Sequence, residues 1–424
     1  MAVNKEEVKA RLREKITVEY PRACRLLQDL VRFPSVSGQE AEAQQYLAEQ
    51  FRRWGCEVDL WEPRREDLEK YPGFLTRRDS FEGSPNVVGT LKGSGTGRSL
   101  ILNGHIDVVP SGDTPWKTDP WSGAFEDGRI IGRGTADMKG GSVAVFFAAA
   151  MFKELGLTPG GDIILQSVIE EEAGGAGTLA CVDRGYRADG ALIPEPTDEK
   201  IYPASMGSMW FRITVPGLAA HGSTAYLGVN AVEKAQLVVT ALKELETERN
   251  RLPLNPLYGH MPVPFCINIG RLCGGSWPSS VPDEAVMEGR IGFGPGETVE
   301  KVRRQLAECL EKAAARDPWL RDHPPQLEWY GSCWHSGGIE PDHPLVETLK
   351  GVYREGYGRE PVVEGAPWAT DAAALIRFGQ TPALVYGPGQ GHLAHQTDES
   401  IALDRMLQVS LTTADFIVEW CGVD

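Results

Sequence analysis

Two kinds of hydrophobic spacing alternate along the first half of the chain. Short apolar runs, typical of buried strands, occupy residues 86–91, 99–103, 162–169 and 190–193. Between some of these runs, apolar positions recur at helical spacing, notably over residues 139–155 and 177–183. Strands that alternate with helices predict an α/β domain with a largely parallel sheet.

The N-terminal region before these strands has only helical spacing. Residues 6–16 and 22–33 are predicted as two amphipathic helices. Ser37 and Glu40 have the spacing of a capping box before a further helix, which is predicted to stop at Trp54 and Gly55.

The pattern changes near residue 204. The order of predicted elements there is strand, helix, two strands, helix and strand, at residues 209–215, 230–249, 265–269, 284–293, 298–315 and 326–330. This order is typical of a ferredoxin-like unit. After about residue 331 the α/β pattern returns and continues to a last helix over residues 403–420. We therefore predict one α/β domain from residues 1–203 and 331–424, interrupted by an inserted α+β domain at residues 204–330.

Length and composition limit the classes of protein to consider. A chain of 424 residues is too long for one ordinary core, and its net charge of −16 argues against a nucleic-acid partner. No run of 18 apolar residues is present, so we expect no membrane span. The charged segment 1–19 lacks the apolar stretch of a secretory signal, and the eight cysteines are scattered, so we expect a cytoplasmic protein.

Acidic and histidine residues follow several of the apolar runs, where loops leave a parallel sheet and ligand sites form. His105 and Asp107 come two residues apart, on one side of an extended segment. Asp137 lies between glycines and a predicted helix, and Glu195 stands between two prolines. A local hydrogen bond would explain His105 equally well, and a helix N-cap is the commoner role for an aspartate such as Asp137.

Two further clusters add to this set. Three consecutive glutamates, residues 170–172, follow an apolar run, where their mutual repulsion is costly unless a cation relieves it. Near the C-terminus His392 and His395 are three residues apart, and either could be a ligand. Together these nitrogen and oxygen donors, without thiolates, suit catalytic zinc, and also cobalt or manganese.

The order of these motifs resembles that of a known family. His-x-Asp, Gly-x-x-Asp-x-Lys-Gly, a triple acid before Gly-Gly, Glu-Pro and a C-terminal Ala-His-x-x-Asp-Glu occur in one sequence. This order is similar to that of the zinc amidohydrolases that include acetylornithine deacetylase, succinyl-diaminopimelate desuccinylase, aminoacylase and glutamate carboxypeptidase. The resemblance covers nearly the whole chain, and it implies a zinc-peptidase-like catalytic domain with an inserted ferredoxin-like lid domain that also forms a homodimer.

The resemblance assigns roles to the residues that match. It implies two zinc ions, with ligands His105 and Glu195 for one, Glu172 and His395 for the other, and Asp137 bridging both. It also implies that Asp107 orients His105, that Glu171 is the general base, and that the peptide bond after Asp137 is cis. The family has Asp where this chain has Glu170, which is a mild departure.

The lid domain matches the family as well. The resemblance implies that His221 enters the active site of the partner subunit and that Asn268 and Arg290 hold the substrate. A surface histidine and a salt bridge within the lid are the plainer explanations of His221 and Arg290. Trp368-Ala-Thr-Asp371 departs from the family's Gly-x-Ser-Asp or Gly-Thr-Ser-Asp, which leaves the shape of the pocket open.

We therefore predict a di-zinc enzyme that hydrolyses an amide bond in a small N-acylated substrate. A dipeptidase or carboxypeptidase is the nearest alternative, and residues 274–282 and several tryptophans resemble a formylaminopyrimidine deformylase subgroup. A metal-binding scaffold without catalysis is disfavoured by Glu171, which proton transfer needs and metal binding does not. The glycine-rich stretch 132–141 has neither nucleotide-binding glycine motif.

Overall fold

Strands and helices alternate through the N-terminal half in the computed structural model, which describes residues 4–251 and 255–424. The helices are α1 Lys5–Val31, α2 Ala41–Arg53, α3 Arg65–Leu68, α4 Gly140–Glu154 and α5 Ala176–Asp183. The strands are β1 Glu57–Trp61, β2 Asn86–Leu91, β3 Leu100–His105, β4 Ala124–Glu126, β5 Arg129–Ile131, β6 Ile163–Val168, β7 Ala191–Ile193 and β8 Ile201–Ser205. The strands and helices predicted between residues 86 and 193 are thus confirmed, with small differences at their ends.

Two N-terminal predictions were wrong in detail. The helices predicted at residues 6–16 and 22–33 form one helix, α1, which continues through Pro21 because its buried apolar positions keep helical spacing on both sides. Glu40 is the N-cap residue of α2, and its side chain makes no cap hydrogen bond. The Ser37 hydroxyl donates to the Glu170 carboxylate instead, so the capping box does not form.

The insertion begins with β9 and ends with β12. Its elements are β9 Gly207–Pro216, α6 Ala231–Arg249, β10 Ile267–Gly274, β11 Glu284–Phe293, α7 Val299–Ala315, α8 Pro318–Asp322 and β12 Gln326–Trp334. The four strands form an antiparallel sheet in the order β10-β11-β9-β12. The buried side chains of this sheet pack against α6 and α7 in a core of their own, as the ferredoxin-like pattern predicts.

The chain then returns to the first domain. The remaining elements are β13 Gly337–Gly338, α9 Pro344–Tyr357, β14 Val363–Ala366, α10 Ala372–Arg377, β15 Ala383–Val385, β16 Ser400–Ala402 and α11 Leu403–Cys421. The main sheet has the order β1-β2-β6-β3-β7-β15-β8-β13, with β14 also paired to β8. The four central strands β6, β3, β7 and β15 are parallel, and antiparallel pairs occur toward the edges.

Helices cover both faces of the main sheet. Buried residues of α1, α2, α4, α9 and α11 form the larger core on one face. Residues of α5 and α10 form a smaller core on the other face. A separate small sheet, β4-β5-β16, lies beside the loops at the carboxyl ends of the central strands.

Candidate active site

Three neighbouring parallel strands supply much of the candidate site. His105 is the last residue of β3, Glu171 and Glu172 follow β6, and Glu195 follows β7. Because β6, β3 and β7 are adjacent and parallel, their carboxyl ends lie at one edge of the sheet. These side chains therefore come together although they are far apart in the sequence.

The Asp137 side chain lies between two histidines. Asp137 lies in an irregular turn between β5 and α4. Gly134 begins this turn with φ +84°, a left-handed conformation that favours glycine. One carboxylate oxygen, Oδ1, lies 3.2 Å from His105 Nε2, and the other, Oδ2, lies 3.3 Å from His395 Nε2. The Asp137–Met138 peptide bond is cis, as the family resemblance implies.

The remaining acids fall into two sets around Asp137. On one side, His105 Nε2 is 3.9 Å from Glu195 Oε2 and 4.0 Å from Glu171 Oε2. On the other side, His395 Nε2 is 3.1 Å from Glu172 Oε1. The structure thus brings together all five predicted metal ligands and Glu171, and it is His395, not His392, that contacts this cluster.

Asp107 contacts two parts of the site. Its backbone carbonyl oxygen lies 2.8 Å from His105 Nδ1, whereas its carboxylate lies 3.7 Å from that nitrogen. The carboxylate accepts hydrogen bonds from the backbone N–H groups of Glu171 and Glu172, each at 3.1 Å. The ring is therefore oriented by the carbonyl, and the carboxylate holds the loop that carries the two glutamates.

The electrostatics of the cluster are unfavourable without a cation. Burial, with the neighbouring carboxylates, raises the pKa of Glu171 and of Glu195 well above the usual range. Burial also raises the pKa of the Asp107 carboxyl to about 8. Hydrogen bonds to Asp137 and Glu172 raise the pKa of His395 to about 10. Several carboxylates thus lie in one small space, where burial and their mutual repulsion favour protonation.

The donor set fits divalent metal ions. His105, Glu171 and Glu195, and likewise His105, Asp137 and Glu172, offer one ligand atom each within 4.8 Å of one another. All of these donors are nitrogen or oxygen, which is the ligand chemistry of catalytic zinc, cobalt and manganese sites. A bound cation would also neutralise the crowded carboxylates.

The predicted lid residues lie apart from this cluster. His221 is exposed. Its Nδ1 forms a hydrogen bond with the Ser223 hydroxyl at 2.7 Å. Asn268 and Arg290 are opposite one another on β10 and β11. Their cross-strand row continues through Trp210 and Tyr330 on the open face of the sheet.

Tryptophans connect this open face to the acidic loop. Trp334, at the end of β12, lies 6.3 Å from Trp210 by ring centroids, and its Nε1 donates to the Glu171 carbonyl at 3.0 Å. Trp368 and Ala369 line a cavity of about 230 Å³ together with Glu171 and His395. Sequence reasoning missed Trp210, since only the alternation of β9 and its pairing with β11 place it beside Arg290.

Comparison with known proteins decides the family. The model of peptidase family M20/M25/M40 matches residues 101–419, which is most of the chain. The chain belongs to this family. The resemblance inferred from the motif order is therefore confirmed.

Two relatives of the M20 family illustrate its range of substrates. An N-formyl-4-amino-5-aminomethyl-2-methylpyrimidine deformylase of Halalkalibacterium halodurans is 33% identical over 419 residues and covers 93% of each chain. A probable succinyl-diaminopimelate desuccinylase of Staphylococcus aureus is 26% identical over 410 residues, which covers 90% of this chain and 93% of the relative. Both names describe removal of an acyl group from an amine.

Solved M20 structures share the fold. The aminopeptidase PepT of Bacillus cereus has a TM-score of 0.71 at 22% identity, covering 94% of this chain and 98% of that chain. The dipeptidase Dug1p of Saccharomyces cerevisiae has a TM-score of 0.74 at 15% identity, covering 97% and 98%. These likenesses confirm the prediction of an α/β domain with a separate antiparallel-sheet domain.

Family membership and the relatives confirm the predicted reaction class. This M20 protein is a metal-dependent hydrolase that cleaves an amide bond in a small N-acylated substrate. No helix in the described residues is both long and apolar enough to cross a membrane.

Proposed function

We propose that the site binds two divalent ions, with zinc as the first choice and cobalt or manganese as substitutes. His105 and Glu195 would hold one ion, Glu172 and His395 would hold the other, and Asp137 would be shared between them. The observation that carries this proposal is the position of Asp137, whose two carboxylate oxygens each face a different histidine at 3.2 and 3.3 Å. A carboxylate that faces one histidine with each oxygen can be shared between two ions placed close together, as in two-metal hydrolytic sites.

Bound ions would polarise the scissile carbonyl and lower the pKa of a water molecule toward neutrality. Glu171 then accepts the proton of the attacking water and passes it to the departing amine nitrogen. Glu171 as a whole residue is 8% exposed, and its backbone N–H donates a hydrogen bond to the Asp107 carboxylate. The reaction consumes one water and releases a carboxylic acid and an amine.

We propose a formylated aminopyrimidine as the preferred class of substrate. The deformylase relatives, at 33% and 32% identity, support this choice. The cavity supports it as well, because the Trp368 ring, packed edge-on against Tyr202 at 5.5 Å, offers an aromatic wall near Glu171. The peptidases among the solved structures share the fold at low identity, and we do not propose a peptide substrate from them.

We further propose a cytoplasmic homodimer that forms through the lid domain, with His221 completing the site of the partner subunit. Exposed apolar side chains surround the turn that carries His221, and Tyr226, Leu227 and Trp277 are 82%, 64% and 68% exposed. Such a patch on one face of a protein commonly marks an interface. All eight cysteines are free thiols, which favours a reducing compartment.

The function is tested by pairing a change of the general base with a change of a ligand. Glu171→Gln is expected to lower turnover by at least about 10²–10⁴-fold because proton transfer is lost, with the metal content unchanged. Glu172→Gln is expected to lower both turnover and metal content. Turnover and metal analysis of the two variants separate the roles, and loss of metal from Glu171→Gln would contradict the assignment.

The substrate class is tested with the zinc-loaded and cobalt-loaded wild-type enzyme. We expect the formylated aminopyrimidine to give the highest kcat/KM in a panel that also contains N-acetyl, N-succinyl and N-carbamoyl compounds and dipeptides. Preference for a succinylated compound or a dipeptide would overturn the substrate proposal and leave the metal centre intact.

A further inference from the structure

One buried carboxylate outside the ligand set contacts the turn that carries Asp137. Glu399 is 1% exposed. Its Oε1 accepts hydrogen bonds from the backbone N–H groups of Ala136 and Asp137 at 2.8 and 3.0 Å. Its Oε2 accepts from Gly134 N–H at 3.0 Å and from Arg133 Nη1 at 2.7 Å. A single side chain therefore satisfies four donors in five consecutive residues.

The same stretch of chain also carries His395. After His395 the backbone reaches Glu399, whose carbonyl accepts from Gly132 N–H at 2.9 Å. It continues as β16, which pairs with β5 through Ser400 and Ile131. The segment that ends in Asp137 and the segment that begins at His395 are thus joined by both side-chain and main-chain hydrogen bonds.

We propose that Glu399 is a positioning residue that holds the Asp137 carboxylate opposite His395 and so forms the metal site of Asp137, Glu172 and His395. This inference rests on the proposed assignment of those three residues as ligands. Within the described part of the chain, the Glu399 carboxylate hydrogen-bonds backbone N–H groups and Arg133 rather than a ligand side chain, so it acts through the backbone of the Asp137 turn. The site of His105 and Glu195 shares Asp137, but its other two ligands are placed by β3 and β7, so Glu399 affects it less.

The chemistry of the contact requires a carboxylate. Every partner of Glu399 is a donor, and an ionised carboxylate is an acceptor at both oxygens. A glutamine of the same shape would direct an NH₂ group at N–H donors, which leaves them unsatisfied in a buried place. The turn would then relax, and Asp137 Oδ2 would move from its position 3.3 Å from His395 Nε2.

The test is a metal titration of the full-length, metal-free protein with cobalt, followed by its absorption spectrum and by calorimetry. Wild-type protein is expected to bind two ions. In Glu399→Gln, the ion held by Glu172 and His395 is expected to bind more weakly. Its dissociation constant should rise about 10–100-fold, the usual effect of removing a partner that orients a ligand. The other ion also shares Asp137, so its dissociation constant is expected to rise as well, but by a smaller factor, because His105 and Glu195 are placed by β3 and β7.

Asp415→Asn is the matched control. Asp415 lies on α11, away from the ligand loops. Its carboxylate is buried and accepts a hydrogen bond from Arg13 Nε at 2.9 Å. This variant is expected to bind both ions normally even if its unfolding temperature falls. If it weakens one ion as Glu399→Gln does, the effect is general loss of stability, and the inference is wrong.

Two outcomes separate this inference from the proposed function. If wild-type protein binds fewer than two ions, the two-metal proposal fails. If it binds two and Glu399→Gln binds both as tightly, only the role of Glu399 fails. Should Glu399→Gln not fold, Arg133→Gln keeps the Glu399 carboxylate and removes its ionic partner. It is expected to weaken the same ion by a smaller factor, and unchanged binding would overturn the inference.

Discussion

His335 is a histidine whose protonation the fold opposes. Its Nε2 donates to the Pro72 carbonyl at 2.7 Å, and its Nδ1 is buried without a hydrogen-bond partner among the described residues. Burial, with the positive charge of Arg377, lowers the pKa of the ring to about 4. In the unfolded chain the pKa of this histidine is about 6.5. Between about pH 4 and about pH 6.5, His335 therefore carries a proton in the unfolded chain but not in the folded protein.

The sign of the pH effect follows from this difference. As the pH falls from about 6.5 to about 4, the free energy of unfolding decreases, because protonation favours the unfolded chain. His335→Gln keeps a donor for Pro72 but does not titrate, so its stability should fall less over this range. Urea unfolding of the metal-free proteins at about pH 7 and about pH 5 measures the difference. Parallel losses in wild type and variant would contradict the prediction.

The site residues differ in how far the sequence predicts them. His105, Glu171 and Glu195 could be predicted because each lies at or shortly after the end of an apolar strand, and parallel strands bring such positions to one edge. Glu399 could not be given its role, because the N–H groups it binds belong to a turn far away in the sequence. The same holds for Asp107, since the sequence does not tell whether its carbonyl or its carboxylate faces the ring.

Strand β12 connects the lid domain to the catalytic loop. Near its end the Ser332 hydroxyl donates to the Ala173 carbonyl at 2.6 Å, and Trp334 Nε1 donates to the Glu171 carbonyl at 3.0 Å. The predicted domain boundary at residue 330 falls inside this strand, because the apolar pattern does not mark where a strand crosses between domains. The position of Glu171 therefore depends on an element of the lid.

Trp334→Phe tests this dependence. The variant keeps an aromatic ring but loses the hydrogen bond to the Glu171 carbonyl, which is worth about 0.5–1.5 kcal/mol. If that energy orients the general base, kcat should fall by about 2–10-fold, with metal content and KM unchanged. Steady-state kinetics and metal analysis give both quantities.

Trp329→Phe is the control on the same strand. The Trp329 ring packs against Phe211 inside the lid domain, at 6.5 Å between centroids. It is expected to change stability slightly and to leave kcat near the wild-type value. Equal losses of kcat in the two variants would mean that any disturbance of the strand acts on the site, and no loss in Trp334→Phe would exclude a role for the hydrogen bond.

At the scale of the molecule, the insertion is predictable because each domain has its own hydrophobic pattern. The first and last strands of the lid domain, β9 and β12, are neighbours in its sheet, so the chain enters and leaves at one place. What the sequence does not give is the distance from His221 to the metal cluster, which depends on the packing of domains and subunits. In this chain His221 is exposed and forms a hydrogen bond with Ser223, and the role proposed for it is in the site of a second subunit.

A mixed dimer tests that role directly. His221→Ala alone should lower turnover by about 10²–10³-fold, the usual effect of losing an oxyanion donor. In a dimer of one His221→Ala chain and one Glu171→Gln chain, one site has both an intact Glu171 and a His221 from its partner. Random mixing of equal amounts should then restore about one quarter of wild-type activity, because half of the dimers are mixed and each has one complete site. A mixture of Glu171→Gln and Glu172→Gln chains should restore none, since both changes lie in the same loop. If the first mixture also stays inactive while mixed dimers are shown to form, His221 does not act across the interface.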